Sequence, residues 1–212
     1  YIISVGMSVN FNFIAPFYDL LSRVVYGQAI RSAQCCYLGD IESNARLLVL
    51  GGGTGWILEE LVKVNQDIIV DYVEASPKML EKSRKRQNLV FTELNYVLGT
   101  ECTVQDRSYD FIITPFVVDV FPQGELKGMV IRMKKLLVDD GKWYCIDFNS
   151  RDVSIKAKLL SVIMIIFFRF VSGLKTNGVL DYFKEIEKGG MLELKSSYFY
   201  GRFIRSTLYS KK

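Results

Sequence analysis

Residues 45 to 61, ARLLVLGGGTGWILEEL, set a continuous apolar run against an amphipathic one with four glycines between them. Glycine costs about 1 kcal/mol relative to alanine inside a helix. A cluster of four at this junction therefore marks a backbone that turns sharply, or one that something must approach closely. The apolar run has the length and end of a buried parallel strand, and the run after it has helical spacing.

That unit repeats along the chain. DIIVDYVEA (67–75) reads as a second strand ending on an acid, Glu74. SPKMLEKSRKRQ (76–87) opens with Ser76 as N-cap and Pro77 at the first helical position, and its charged remainder predicts an exposed helix. LNYVLGT and YDFIITPF supply strands three and four. ELKGMVIRMKKLLV (125–138) is a helix closed by DDG, and KWYCIDF (142–148) is strand five. After Phe148 come an apolar stretch, a helix stopped at Gly189–Gly190, and two alternating strands around Gly201. Strand–helix alternation of this kind predicts a doubly wound α/β fold. The expected sheet is mostly parallel, seven-stranded and Rossmann-like, with an antiparallel C-terminal edge. The whole chain, 1–212, is expected to be one domain. It divides into a helical lid (1–44), a ligand-binding core (45–150), an apolar insertion (151–180) and a C-terminal helix with strands (181–212).

Composition narrows the chemistry. A net charge of +4 and a pI near 8.8, without arginine-aromatic clusters, argue against a nucleic-acid partner. The four cysteines have no CxxC spacing and the chain has no histidine, so no metal site is expected. Reduced thiols point to a cytoplasmic protein, and the opening segment has no basic n-region or small-residue cleavage site. Proton transfer would fall to Asp, Glu, Lys, Tyr or Cys.

Three ligand classes compete for the glycine loop. A P-loop needs Lys–Ser/Thr after its last glycine, and Trp56–Ile57 stands there. A dinucleotide loop needs a third glycine where Trp56 lies, which disfavours an NAD-dependent oxidoreductase. The third pattern, Gly51, Gly53 and Gly55 followed by an acid at the end of the next strand, fits a nucleoside without a pyrophosphate. The Glu74 carboxylate can accept from both ribose hydroxyls. A purely structural turn, with Glu74 capping the next helix, is the other reading of the same residues.

LLVLGGGTG, VEASPKML, YDFIITPFVVDVF and LLVDDGKWYCIDF, in that order, resemble the successive motifs of class I S-adenosylmethionine-dependent methyltransferases. The resemblance runs from about Phe13 to Tyr209. FNFIAPFYDLLSRVVYG is similar to the lid of the ubiquinone/menaquinone-biosynthesis C-methyltransferases. The resemblance implies S-adenosylmethionine as cofactor and S-adenosylhomocysteine as product. It places the loop Gly51, Gly52, Gly53, Thr54 and Gly55 under the methionine part, Glu74 on the ribose, and Ala75 and Met79 beside the adenine. Tyr18 would lie over the cofactor, with Thr100, Glu101 and Thr114 along its edge. Two positions depart from the family: Val49 replaces an acid before the loop, and Thr100 replaces an aspartate after the third strand.

Methyl transfer needs alignment more than strong acid–base groups. Asp119, Asp147, Tyr144 and, from the lid, Tyr18 are the candidates for removing a proton from the acceptor. TPF (114–116) lacks the acid or amide and the second proline of amine methyltransferases. That favours methylation at carbon or oxygen of a small, apolar acceptor. The 152–174 segment, with Ile163, Phe167 and Phe168, suits such an acceptor, a peripheral membrane contact or a homodimer interface. Its uncharged core is shorter than the ~20 residues that span a bilayer. The alternative function is a non-catalytic protein of the same fold that docks a partner or membrane through 152–174.

Overall fold

The computed structural model describes residues 27–149 and 181–212. Most of the expected lid, including Tyr18, and the 151–180 insertion lie outside the described residues. Helix α1 (Ala29–Cys35) and a 3₁₀ turn (Leu38–Asp40) lead into strand β1 (Arg46–Leu50). Helix α2 (Trp56–Val64), strand β2 (Ile69–Glu74), helix α3 (Pro77–Arg84), strand β3 (Glu93–Leu98) and strand β4 (Tyr109–Pro115) follow. Helix α4 (Gln123–Leu136) and strand β5 (Leu137–Phe148) complete the first described stretch. The second holds helix α5 (Tyr182–Lys188) and strands β6 (Met191–Phe199) and β7 (Ile204–Lys211).

The strands form one seven-stranded sheet in the order β3-β2-β1-β4-β5-β7-β6. The first five are parallel, and β7 runs antiparallel to both β5 and β6. The expected reversal at the C-terminal end therefore falls on β7 alone, and the edge strand β6 points the same way as β5.

Strand alternation sends neighbouring side chains to opposite faces, and both faces are covered. Leu47, Val49, Tyr144 and Ile146 pack with Ala33, Ile57, Leu58, Leu61 and Leu80, from α1 to α3. Leu48, Leu50, Trp143 and Cys145 pack with Val130, Met133, Phe183 and Ile186, from α4 and α5. Each fully buried aliphatic side chain of this kind stabilises the fold by about 1.5–3 kcal/mol.

Two boundaries differ from the sequence expectation. Helix α4 ends at Leu136, because Leu137 is already extended and pairs with Tyr109. The next pair is Phe111 with Lys142, so the DDG segment bulges out of β5 rather than separating it from the helix. Helix α3 stops at Arg84, and Arg86 beyond it is not a solvated charge.

The chain leaves β1 for α2 on one face and leaves β4 for α4 on the other. The carboxyl ends of β1 and β4 thus flank the point where the connections diverge, which is where open α/β sheets bind ligands. Among the described residues, no helix is long and apolar enough to cross a membrane.

Candidate functional site

The four glycines at the end of β1 serve different purposes. A Cβ on Gly51 would lie 2.3 Å from Val117 Cγ2, and one on Gly52 would lie 2.3 Å from the Tyr72 ring. A Cβ on Gly55 would lie 2.6 Å from Ser83 Cβ. At these three positions the protein's own side chains fill the space. At Gly53, with φ of +64°, the same test meets only Met79 Sδ, at 3.9 Å. Gly53 is thus the glycine whose open side can take a ligand.

Its peptide groups are held from β2. Glu74 Oε2 accepts the Gly53 N–H at 2.9 Å, and the Tyr72 hydroxyl donates to the Gly53 carbonyl at 2.9 Å. Glu74 Oε1 accepts the Ser76 N–H at 2.8 Å, at the start of α3. Ser76 in turn caps that helix by accepting the Met79 N–H at 3.3 Å. The two readings of Glu74 are therefore compatible. It braces the helix start, and an ionised carboxylate, with roughly four lone-pair sites, keeps acceptor capacity after two backbone bonds. Burial raises the Glu74 pKa, and the Ser76 and Gly53 bonds oppose that shift.

Thr54 is gripped by Arg86. The guanidinium donates to the Thr54 carbonyl at 2.6 Å, to its hydroxyl at 3.2 Å and to Glu59 at 2.5 Å. At the first helical position Trp56 lies under the Arg31 guanidinium, 4.7 Å from its ring centre.

The loop after β4 forms the other wall. Its Val117 packs on Gly51, and Phe116 takes a φ of +57°, a strained conformation for a non-glycine residue. Asp147, at the end of β5 and fully buried, accepts the N–H of Val118 at 2.8 Å and of Asp119 at 3.2 Å through Oδ2. Its Oδ1 accepts the Phe148 N–H at 2.8 Å. Asp119 is half-buried, and that burial pushes its carboxyl up to about 6. Asp147 is raised as well, by burial and by the neighbouring Asp119. The Tyr182 hydroxyl donates to the Asp119 carbonyl at 3.4 Å.

The sequence-selected residues fall into groups. Gly53, Glu74 and Met79 converge, Gly51 meets the β4 loop, and Asp119 and Asp147 are joined. Ala75 is exposed at the turn between Glu74 and α3. Thr100 caps the short 3₁₀ turn Glu101–Thr103, its hydroxyl accepting the Cys102 N–H at 3.4 Å, and Glu101 accepts from the Cys102 thiol at 3.4 Å. Thr114 is wholly buried, and its hydroxyl accepts the Trp143 Nε1–H at 2.9 Å, so its side chain belongs to the sheet interior. Val49 is also wholly buried. Sequence reasoning missed Tyr72, Arg86 and Val117. Tyr72 carried a signal, since it shares a strand face with Glu74 two residues on.

Residues 47–141 match the sequence profile of a family described as a methyltransferase domain. No curated protein sequence matches the chain. Among solved structures, mitomycin 7-O-methyltransferase MmcR is similar in fold, with a TM-score of 0.69 and 13% identity over 95% of this chain. The chain spans only 60% of that protein's length. The 1,6-didemethyltoxoflavin-N1-methyltransferase of Burkholderia thailandensis, solved with S-adenosylhomocysteine, has a TM-score of 0.64 and 12% identity, covering 95% of this chain and 86% of its own. Magnesium protoporphyrin IX methyltransferase from Synechocystis, also solved with bound S-adenosylhomocysteine, has a TM-score of 0.65 and 15% identity, with coverages of 92% and 88%. Over residues 47–141 the chain is thus similar in sequence to a methyltransferase domain, and its fold is similar to that of these methyltransferases.

Proposed function

We propose that this domain binds S-adenosylmethionine at the carboxyl ends of β1 and β2 and directs methyl transfer to a small, apolar acceptor beside β4 and β5. The observation that carries the proposal is the Gly53 cradle, whose free side faces Met79 while the Glu74 carboxylate holds its N–H. Glu74 supplies acceptors for the ribose hydroxyls, the Gly51–Gly55 backbone supports the methionine part, and Met79 and Ala75 flank the adenine. Thr100 and Glu101 sit at the end of β3, one strand further along the same edge.

S-adenosylmethionine supplies an electrophilic methyl group on a sulfonium. The chain's share of the work is alignment and disposal of a proton. Asp119 is the group we assign to accept the proton released from the acceptor carbon or hydroxyl, since a carboxyl raised toward neutrality is the better base. Asp147, spent on three backbone N–H groups, positions the Asp119 loop rather than touching substrate. The acceptor class follows from the apolar 152–174 sequence and from the likeness of the N-terminal stretch to the ubiquinone/menaquinone group.

Isothermal titration with S-adenosylmethionine and S-adenosylhomocysteine tests the proposal. Binding is expected, and Gly53→Asp should abolish it by filling the cradle. Absence of heat at millimolar ligand would overturn the assignment.

A further inference from the structure

The Gly53 peptide is fixed at both ends by one strand face. Glu74 takes its N–H, and Tyr72, two residues earlier, reaches its carbonyl at 2.9 Å. Tyr72 is wholly buried, so its hydroxyl needs an acceptor inside the protein, and this carbonyl provides one. The ring itself cannot move aside. Its edge fills the space where Gly52 would carry a Cβ, and Tyr96 packs edge-on against it with ring centres 5.5 Å apart. Tyr96 is anchored separately, its hydroxyl donating to the Ser83 carbonyl at 3.3 Å. A rigid aromatic post therefore rises from β2 under the loop, and its hydroxyl reaches the carbonyl of the one loop glycine with an open side.

We infer that Tyr72 is a positioning residue that presets the Gly53 peptide for the amino-acid portion of the bound ligand, so that it tunes affinity for ligands that cross the loop and not for the nucleoside alone. The inference rests on the cofactor reading above. Gly53 has φ of +64°, a conformation that glycine shares with many others of similar energy. Without the hydroxyl, the carbonyl is free to rotate, and the loop must be re-ordered each time ligand binds. Glu74 retains both of its backbone bonds when Tyr72 loses its hydroxyl, so the ribose end is unaffected.

Two probes separate the ends of the ligand. S-adenosylhomocysteine crosses the loop, and 5′-methylthioadenosine has the same nucleoside and thioether but no amino-acid portion. In Tyr72→Phe, affinity for S-adenosylhomocysteine should fall about five- to tenfold, the range expected for one lost hydrogen bond. Affinity for 5′-methylthioadenosine should change less than about twofold on the same grounds. Tyr96→Phe, which removes a neighbouring hydroxyl that does not reach Gly53, should leave both unchanged. Equal losses for the two probes in Tyr72→Phe would mean a merely structural role and overturn the inference, as would no loss for either. Wild-type protein that fails to bind S-adenosylhomocysteine sinks the cofactor reading itself, a different result. Hydrogen exchange on the wild type needs no variant: the Gly53 amide should be strongly protected, and exchange at the free-peptide rate would show that the clamp does not exist.

Discussion

Asp147 holds Asp119 through the backbone, accepting the Asp119 N–H at 3.2 Å, while the nearby Asp119 carboxyl adds to the cost of ionising the buried Asp147. The arrangement gives Asp119 a fixed main chain and a carboxyl that gives up its proton only near pH 6. It ties the end of β5 to the loop after β4, whose Val117 rests on Gly51.

The stability consequence has a definite sign. The Asp119 carboxyl is raised to about 6 in the folded protein, against about 3.9 in an unfolded chain. Between those values the folded state binds more protons, so stability falls as pH rises through that window and stays lower above it. Asp119→Asn should therefore be more stable than wild type at pH 8, by about 1–2 kcal/mol in urea unfolding, and equal to it near pH 3. Identical curves at both pH values would contradict the burial of this carboxyl. Once an acceptor is in hand, turnover should rise with pH around the same window, and the asparagine variant should lose that rise.

Gly52→Ala and Gly53→Ala should separate stability from binding. The first forces a methyl against the buried Tyr72 ring, which should destabilise the protein by about 1–3 kcal/mol. The second places alanine at a positive φ in open space, costing about 1–2 kcal/mol of backbone strain. Only Gly53→Ala should weaken S-adenosylhomocysteine by tenfold or more in titration while the fold persists. Reversal of that pattern would put the ligand against Gly52.

Glu74→Gln tests the pair of hydrogen bonds that the carboxylate accepts. Two N–H groups point at its oxygens, from Gly53 and Ser76, and glutamine offers one oxygen and two donors. One N–H then faces an NH₂. Thermal unfolding should drop by the equivalent of about 1–3 kcal/mol, with a matching loss of ligand affinity in both Glu74→Gln and Glu74→Ala. Full affinity in either variant would remove Glu74 from the ribose.

Arg86→Ala should loosen the far side of the loop. It removes two bonds to Thr54 and the ion pair with Glu59. We expect a loss of about 1–3 kcal/mol in denaturant unfolding, only partly recovered by Arg86→Lys, whose single ammonium cannot span the three acceptors. Recovery to wild-type stability with lysine would show that charge alone matters at this site.

The strand–glycine–helix unit, the Ser76–Pro77 helix start and the acid ending β2 were all legible in the chain, because each is set by neighbours within a few residues. Thr114 illustrates the opposite case. Its place at the end of β4 suggested a ligand contact, yet its hydroxyl faces Trp143 on the next strand, a pairing set by sheet register. Arg86 was hidden in a run of charges that local pattern assigns to solvent. The lengthening of β5 through DDG likewise depended on Leu137 finding Tyr109 across the sheet.

By itself, then, the amino-acid order determined the alternation of strands and helices and the location of a glycine turn after the first strand, since hydrophobic period and glycine content act locally. Tertiary structure decided which loop glycine keeps an open side and which merely admit Val117, Tyr72 or Ser83. Four glycines look alike along a chain, and they become different only when packing brings distant side chains against three of them.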